Sequence, residues 1–95
     1  LTQMLLDCGA EDVITGLRRL AESGRIELLG SAMYHPILPL IPEREIVRQI
    51  ELNHATNRRA FGDIYAPAGF FPPELAYDET VAVAALSTGH RWILT

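Results

Sequence analysis

Two stiffened segments carry the residues best suited to chemistry. In Pro72-Pro73-Glu74-Leu75-Ala76-Tyr77 two prolines fix the backbone immediately before a carboxylate. Rigidity of that kind is what positioning a nucleophile requires, because catalytic groups must be held to a fraction of an ångström. In Tyr34-His35-Pro36 an imidazole stands between a phenol ring and a proline. A third candidate, Glu27, interrupts the apolar run Ile26-Glu27-Leu28-Leu29. A carboxylate inside an apolar strand has to face solvent or a polar cavity, and in a barrel that cavity is the active site. Plainer readings stand beside each. Glu74 could be a first-turn acidic residue stabilised by a helix dipole, and His35 a packed loop histidine donating to a carbonyl. His54, Asn53 and Asn57 read as polar contacts at a helix border. Trp92, Phe70 and Phe71 read as core, although sugar faces also stack on aromatic rings.

Composition narrows the classes of function. The 95 residues are 48% hydrophobic and 21% charged, which is globular rather than disordered. All eight basic residues are arginine, so a Schiff base, a pyridoxal phosphate anchor and a phosphate-binding lysine have no residue to use. A net charge of -4, with Arg18/Arg19 and Arg58/Arg59 as the basic doublets, lacks the positive field that nucleic acid selects. His35, His54 and His90 share no metal-ligand spacing, and no metal or cofactor is expected. The lone Cys8 cannot form an internal disulfide and fits a reducing, cytoplasmic setting. The longest apolar runs, such as Val81 to Leu86, are far short of the roughly 18 residues that span a bilayer, and no membrane contact is expected.

Local signals define the elements that must position these groups. Val13, Ile14, Leu17, Leu20 and Ala21 recur at helical spacing from Glu11, and Gly24 follows as a stop. Ile26–Leu29 predicts a buried strand ended by Gly30-Ser31. The segment from Ala32 to Pro42 has a proline at every third position from Pro36, which predicts an extended, packed loop. Pro42, Glu43 and Glu45 open a long helix through Ile46, Val47, Ile50 and Phe61 that closes at Gly62. Gly69-Phe70-Phe71 predicts a short strand stopped by Pro72. Asp78 caps a helix through Val81, Ala84, Ala85 and Leu86 with Gly89 as its stop, and Arg91–Leu94 gives a third strand. Helices alternating with wholly apolar strands predict an α/β fold with a parallel sheet, open or closed into a barrel. Both singled-out loops then leave the C-terminal ends of strands, where such folds build their sites. The opening without methionine and the close at Ile93-Leu94-Thr95 suggest a piece of a larger protein.

Taken in order, Gly24-Arg25-Ile26-Glu27-Leu28-Leu29, Tyr34-His35-Pro36-Ile37-Leu38-Pro39-Leu40, Glu45 with Gln49-Ile50, Gly69-Phe70-Phe71-Pro72-Pro73-Glu74-Leu75-Ala76 and Gly89–Thr95 resemble glycoside hydrolase family 57. The resemblance runs from about Gly24 to Thr95. It implies that residues 1–95 are part of an incomplete (β/α)7 catalytic barrel of parallel strands, unfinished at both ends. It implies a retaining hydrolase or transglycosidase acting on α-glucans by double displacement. Glu74 matches the family's nucleophile, Glu27 the glutamate of its second conserved segment in the substrate site, and His35 and Phe71 fall where substrate is touched. The family usually has tryptophan at the position of Phe71 and leucine at that of Pro72. Its early histidine motif and its acid/base aspartate, expected downstream of Glu74, find no match in these residues.

Retaining cleavage needs two carboxyl groups about 5 to 5.5 Å apart, so these 95 residues alone are expected to be inactive without the remainder of their own barrel. Two other readings compete with the enzyme. One is a non-catalytic carbohydrate-binding or regulatory barrel lacking the acid/base; the other is an interaction module with no sugar site. A partial barrel also leaves sheet edges open, so the chain by itself is expected to be marginally stable.

Overall fold

The computed structural model describes all of residues 1–95, in two units. The first comprises Leu1–Leu28 and Ala55–Ala66, the second Leu29–His54 and Pro67–Thr95.

Helices α1, Thr2–Asp7, and α2, Glu11–Glu22, form most of the first unit. The apolar spacing of α2 buries Ile14, which joins Ala60, Phe61 and Tyr65 in a small core with Leu5, Leu6, Leu17, Leu28 and Ile64 packed on it. Gly24 stops α2 as expected: at φ +76° its N–H bonds the Ala21 carbonyl while that of Arg25 bonds Leu20. That pair of bonds is a Schellman motif, and a residue with a Cβ would occupy its left-handed position only under strain. Arg18 donates to the Ala60 carbonyl, and the Phe61 and Tyr65 rings stack with centroids 6.5 Å apart. Burial pushes the Tyr65 phenol up to about 12.

Helix α3, Glu43–Phe61, begins where Pro42, Glu43 and Glu45 predict and ends at Gly62. Its residues up to His54 belong to the second unit. There Ile46 and Ile50 pack with Ala32, Leu38, Phe70, Val81, Ala84 and Ala85. Helix α4, Glu79–Ser87, is capped by Asp78, whose carboxylate accepts the Val81 N–H at 3.0 Å. A second Schellman motif ends it, with Gly89 N–H on Leu86 and His90 N–H on Ala85. Leu86 on this helix is exposed.

Strands β1, Gly69–Phe70, and β2, Trp92–Ile93, pair in parallel, with Gly69 opposite Trp92 and Phe70 opposite Ile93. On the other side of β1, Gly30 forms a parallel bridge to Phe70: its N–H bonds Gly69 O at 2.9 Å and its carbonyl takes the Phe71 N–H at 2.8 Å. The order across the sheet is therefore Gly30, β1, β2, with α3 and α4 as the intervening helices. This is an α/β arrangement of parallel strands.

The strand expected over Ile26–Leu29 is reduced to the single bridge at Gly30. Trp92, expected in the core, is 43% exposed. Its indole lies over Gly69, where an added Cβ would stand 2.2 Å from Trp92 Cζ2. No helix is long and apolar enough to cross a membrane.

Candidate active site

Two loops in the second unit define the site, and each is anchored before it presents a side chain. The first leaves Gly30. Ser31 donates its hydroxyl to the Phe71 carbonyl at 2.8 Å, so the two loops are tied together at their roots. Beyond the buried Ala32, the Met33 N–H bonds the Gln49 carbonyl at 3.1 Å and the Tyr34 N–H bonds Gln49 Oε1 at 3.0 Å. Gln49 is buried and its amide in turn donates to Glu45 Oε1. That amide, with Arg48 beside it, holds the Glu45 carboxyl below the usual carboxylate value. One glutamine thus clamps the loop to α3 through both its backbone and its side chain. The next residue is His35, with φ +56° immediately before Pro36.

The second loop leaves β1. Phe71 is half-buried, Pro72 and Pro73 are buried, and a single helical turn over Pro73–Leu75 carries Glu74 into solvent. Glu74 has φ +58° and Leu75 +55°; the turn is closed by the Leu75 N–H on Pro72 O at 2.9 Å and the Ala76 N–H on Pro73 O at 3.1 Å. Both prolines precondition the backbone, because each fixes φ and neither needs a partner for an N–H. The two loops meet at their tips. His35 Nε2 lies 3.4 Å from Glu74 Oε1, with the side chains 59% and 68% exposed.

The structure therefore brings together three of the four residues singled out by sequence: Glu74, His35 and, at the root of the Glu74 loop, Phe71. Glu27 belongs to the first unit, outside any strand, and its side chain is exposed. The strand expected around Glu27 is corrected accordingly, and of the two surroundings expected for its carboxylate, solvent or a polar cavity, it has solvent.

Sequence reasoning missed the buried support. His90 is only 4% exposed; its Nδ1 lies 3.2 Å from both Thr88 Oγ1 and Ala85 O, and its ring meets Phe70 edge-on with centroids 5.2 Å apart. An added Cβ on Gly30 would stand 2.1 Å from His90 Nε2, so the imidazole fills the space that Gly30 leaves empty. Burial pulls this imidazole below its ordinary value, the Ala85 carbonyl opposes the shift and His54 adds to it. The only signal in the sequence was the Gly89-His90 step, which places the histidine just past a helix stop. One concavity is lined by neither His35 nor Glu74. It is an open cleft of about 290 Å³ between α4 and β2, with Tyr77, Leu86, His90, Arg91 and Trp92 in its wall. No group of three or more His, Cys, Asp or Glu side chains is placed to hold a metal ion.

A parallel α/β sheet with an exposed glutamate and histidine on the loops leaving its strands has the layout of enzymes that build their sites at strand ends. Residues 2–95 match the family model of Glycosyl hydrolase family 57, and the chain belongs to that family. It is 40% identical over 67 residues to the 1,4-alpha-glucan branching enzyme TK1436 of Thermococcus kodakarensis, a match covering 70% of this chain and 10% of that protein. It is 28% identical over 78 residues to Alpha-amylase 1 of Dictyoglomus thermophilum, covering 82% of this chain and 11% of the relative. The chain thus spans about a tenth of the length of these curated relatives. No solved structure matches it.

Proposed function

We propose that residues 1–95 form part of the catalytic barrel of a retaining glycoside hydrolase or transglycosidase that acts on α-glucans, with Glu74 as its nucleophile. The observation that carries the reading is the placement of Glu74. It is an exposed carboxylate on a left-handed turn, set there by two buried prolines directly after a parallel strand. Membership of the family and relatives named as a branching enzyme and an amylase support the substrate class.

In this reading Glu74 attacks the anomeric carbon while the glycosidic C–O bond breaks, and an acid beyond this chain protonates the leaving oxygen. Water or an acceptor sugar then attacks the same carbon, the ester to Glu74 breaks, and the same acid group takes the proton. Phe71 offers an aromatic face to a sugar ring, and His35 is a substrate contact. The parallel order Gly30, β1, β2 is part of an incomplete (β/α)7 barrel, which the rest of the protein completes. The isolated 95 residues are inactive, and the protein works in the cytoplasm. In the full-length protein, Glu74→Gln is expected to lower turnover by about 10⁴-fold or more with an unchanged unfolding midpoint. Retained activity would sink the assignment.

A further inference from the structure

We propose that His35 is a positioning residue for Glu74, its Nε2–H donating to Oε1 so that Oε2 is the oxygen aimed at the anomeric carbon. The proposal rests on the reading of Glu74 as nucleophile.

Three features of the fold converge on this one contact. First, the non-glycine residues of the chain with positive φ are His35, Glu74 and Leu75, so the left-handed strain falls on the two partners and the residue beside one of them. Strained conformations of this kind persist only where the surroundings over-determine them. For His35 the strain is compounded by Pro36, because a residue before proline is normally held in extended conformations. Second, both sides of the contact are stiff. The His35 loop is bound to Gln49 through Met33 and Tyr34, and the Glu74 turn rests on buried Pro72 and Pro73. Third, two other carboxylates of this unit are engaged elsewhere: Glu45 is bound by Gln49 and Arg48, and Asp78 caps α4. The imidazole is left to meet Glu74 at 3.4 Å, an ion-pair distance from which the hydrogen bond closes when substrate enters, with both side chains open to the site.

A free carboxylate on an exposed loop can turn about its last two bonds and offer either oxygen in several directions. A donor fixed on Oε1 removes that freedom and leaves Oε2 with its lone pair directed outward. When Oε2 forms its bond to the anomeric carbon, Oε1 becomes the carbonyl oxygen of the ester and keeps the Nε2–H. The histidine neither gains nor loses a proton in either displacement, and all proton transfer belongs to the separate acid/base group.

The test compares His35→Gln, which keeps a donor near the position of Nε2, with His35→Asn, whose shorter amide reaches only the region of Nδ1. Both are measured in the full-length protein with an activated aryl α-maltooligosaccharide. The asparagine variant is expected to lose about 100-fold in kcat, with KM changed by less than about 3-fold. The glutamine variant is expected to recover at least about 10-fold of that loss. Equal behaviour of the two, or a loss confined to KM, overturns the proposal and makes His35 an ordinary substrate contact. A parallel measurement separates the two readings: azide added to Glu74→Ala should restore turnover and yield a glycosyl azide of inverted configuration. Without that rescue the nucleophile assignment fails and the positioning role falls with it; with rescue, but with matched glutamine and asparagine variants, the positioning role fails alone.

Discussion

The two units of the chain use their backbones differently. In the first, left-handed positions are occupied by glycines, Gly9, Gly24 and Gly62, and the core of Ile14, Ala60, Phe61 and Tyr65 lies between ordinary helices. In the second, Gly89 ends a helix in the same way, but the other left-handed positions are His35, Glu74 and Leu75, which have a Cβ. Evolution readily places glycine where φ must be positive, so its absence at three neighbouring positions argues that side chains are needed there. The first unit is built for stability at low strain. The second tolerates strain around a carboxylate and an imidazole because buried groups beneath them, Gln49, Pro72, Pro73 and His90, hold the backbone.

If that contrast is right, the second unit depends most on its core. Phe70 is fully buried between the sheet and the helices, and Phe70→Ala is expected to cost about 3 to 5 kcal/mol, read as a shift in the urea midpoint of the full-length protein. A cost near that of a surface change would mean that the sheet is not anchored there. Next come the glycines. Gly30→Ala drives a Cβ into His90 Nε2 and is expected to cost about 1 to 3 kcal/mol, relieved when His90→Ala is added. Gly24→Ala meets open space and is expected to cost about 1 kcal/mol, through its φ of +76° alone. The two costs should therefore respond differently to a second mutation, and additivity at Gly30 and His90 would contradict the packing described.

A further set of effects separates the units by pH. His90 has a folded value below that of the unfolded chain, so on acidification the unfolded state takes up protons first. Stability of the second unit should fall as pH drops below the ordinary histidine value of about 6.5, and His90→Gln should flatten that dependence. Tyr65 is raised to about 12, so between about 10 and 12 the folded state holds the extra proton and stability of the first unit should fall as pH rises. Hydrogen exchange resolved by peptide would show the two losses in different segments. Loss of protection in the same segments at both extremes would contradict the division.

Much of the helical framework was legible in the sequence because its signals are local. The apolar spacing of α2, the Pro42-Glu43-Glu45 start of α3, the Asp78 cap of α4 and the stops at Gly24, Gly62 and Gly89 all act within a few residues. Helix α1 went unread, since its short span has no side-chain cap and no acidic first turn. The strands were harder. Ile26–Leu29 has the composition of a strand, yet pairing begins only at Gly30, because composition reports fit to a pleated, half-buried surface and not the presence of a partner. Trp92 was read as core from its type, whereas its indole lies over Gly69 on the neighbouring strand and stays 43% exposed. At the site, the residue types of Glu74 and His35 and their proline neighbours were visible. Their meeting was not, since it depends on two left-handed turns brought together by the sheet. His90 filling the space above Gly30 was equally hidden.

The central claim, that Glu74 is the nucleophile of an α-glucan enzyme, is tested most directly by trapping the covalent intermediate. The full-length protein would be incubated with a 5-fluoro-α-glucosyl fluoride, digested and mapped by mass spectrometry. The account predicts one added glycosyl group on the peptide containing Pro72-Pro73-Glu74, located on Glu74, and none on Glu27. A glycosyl group on any other carboxylate, with Glu74 unmodified, would contradict it.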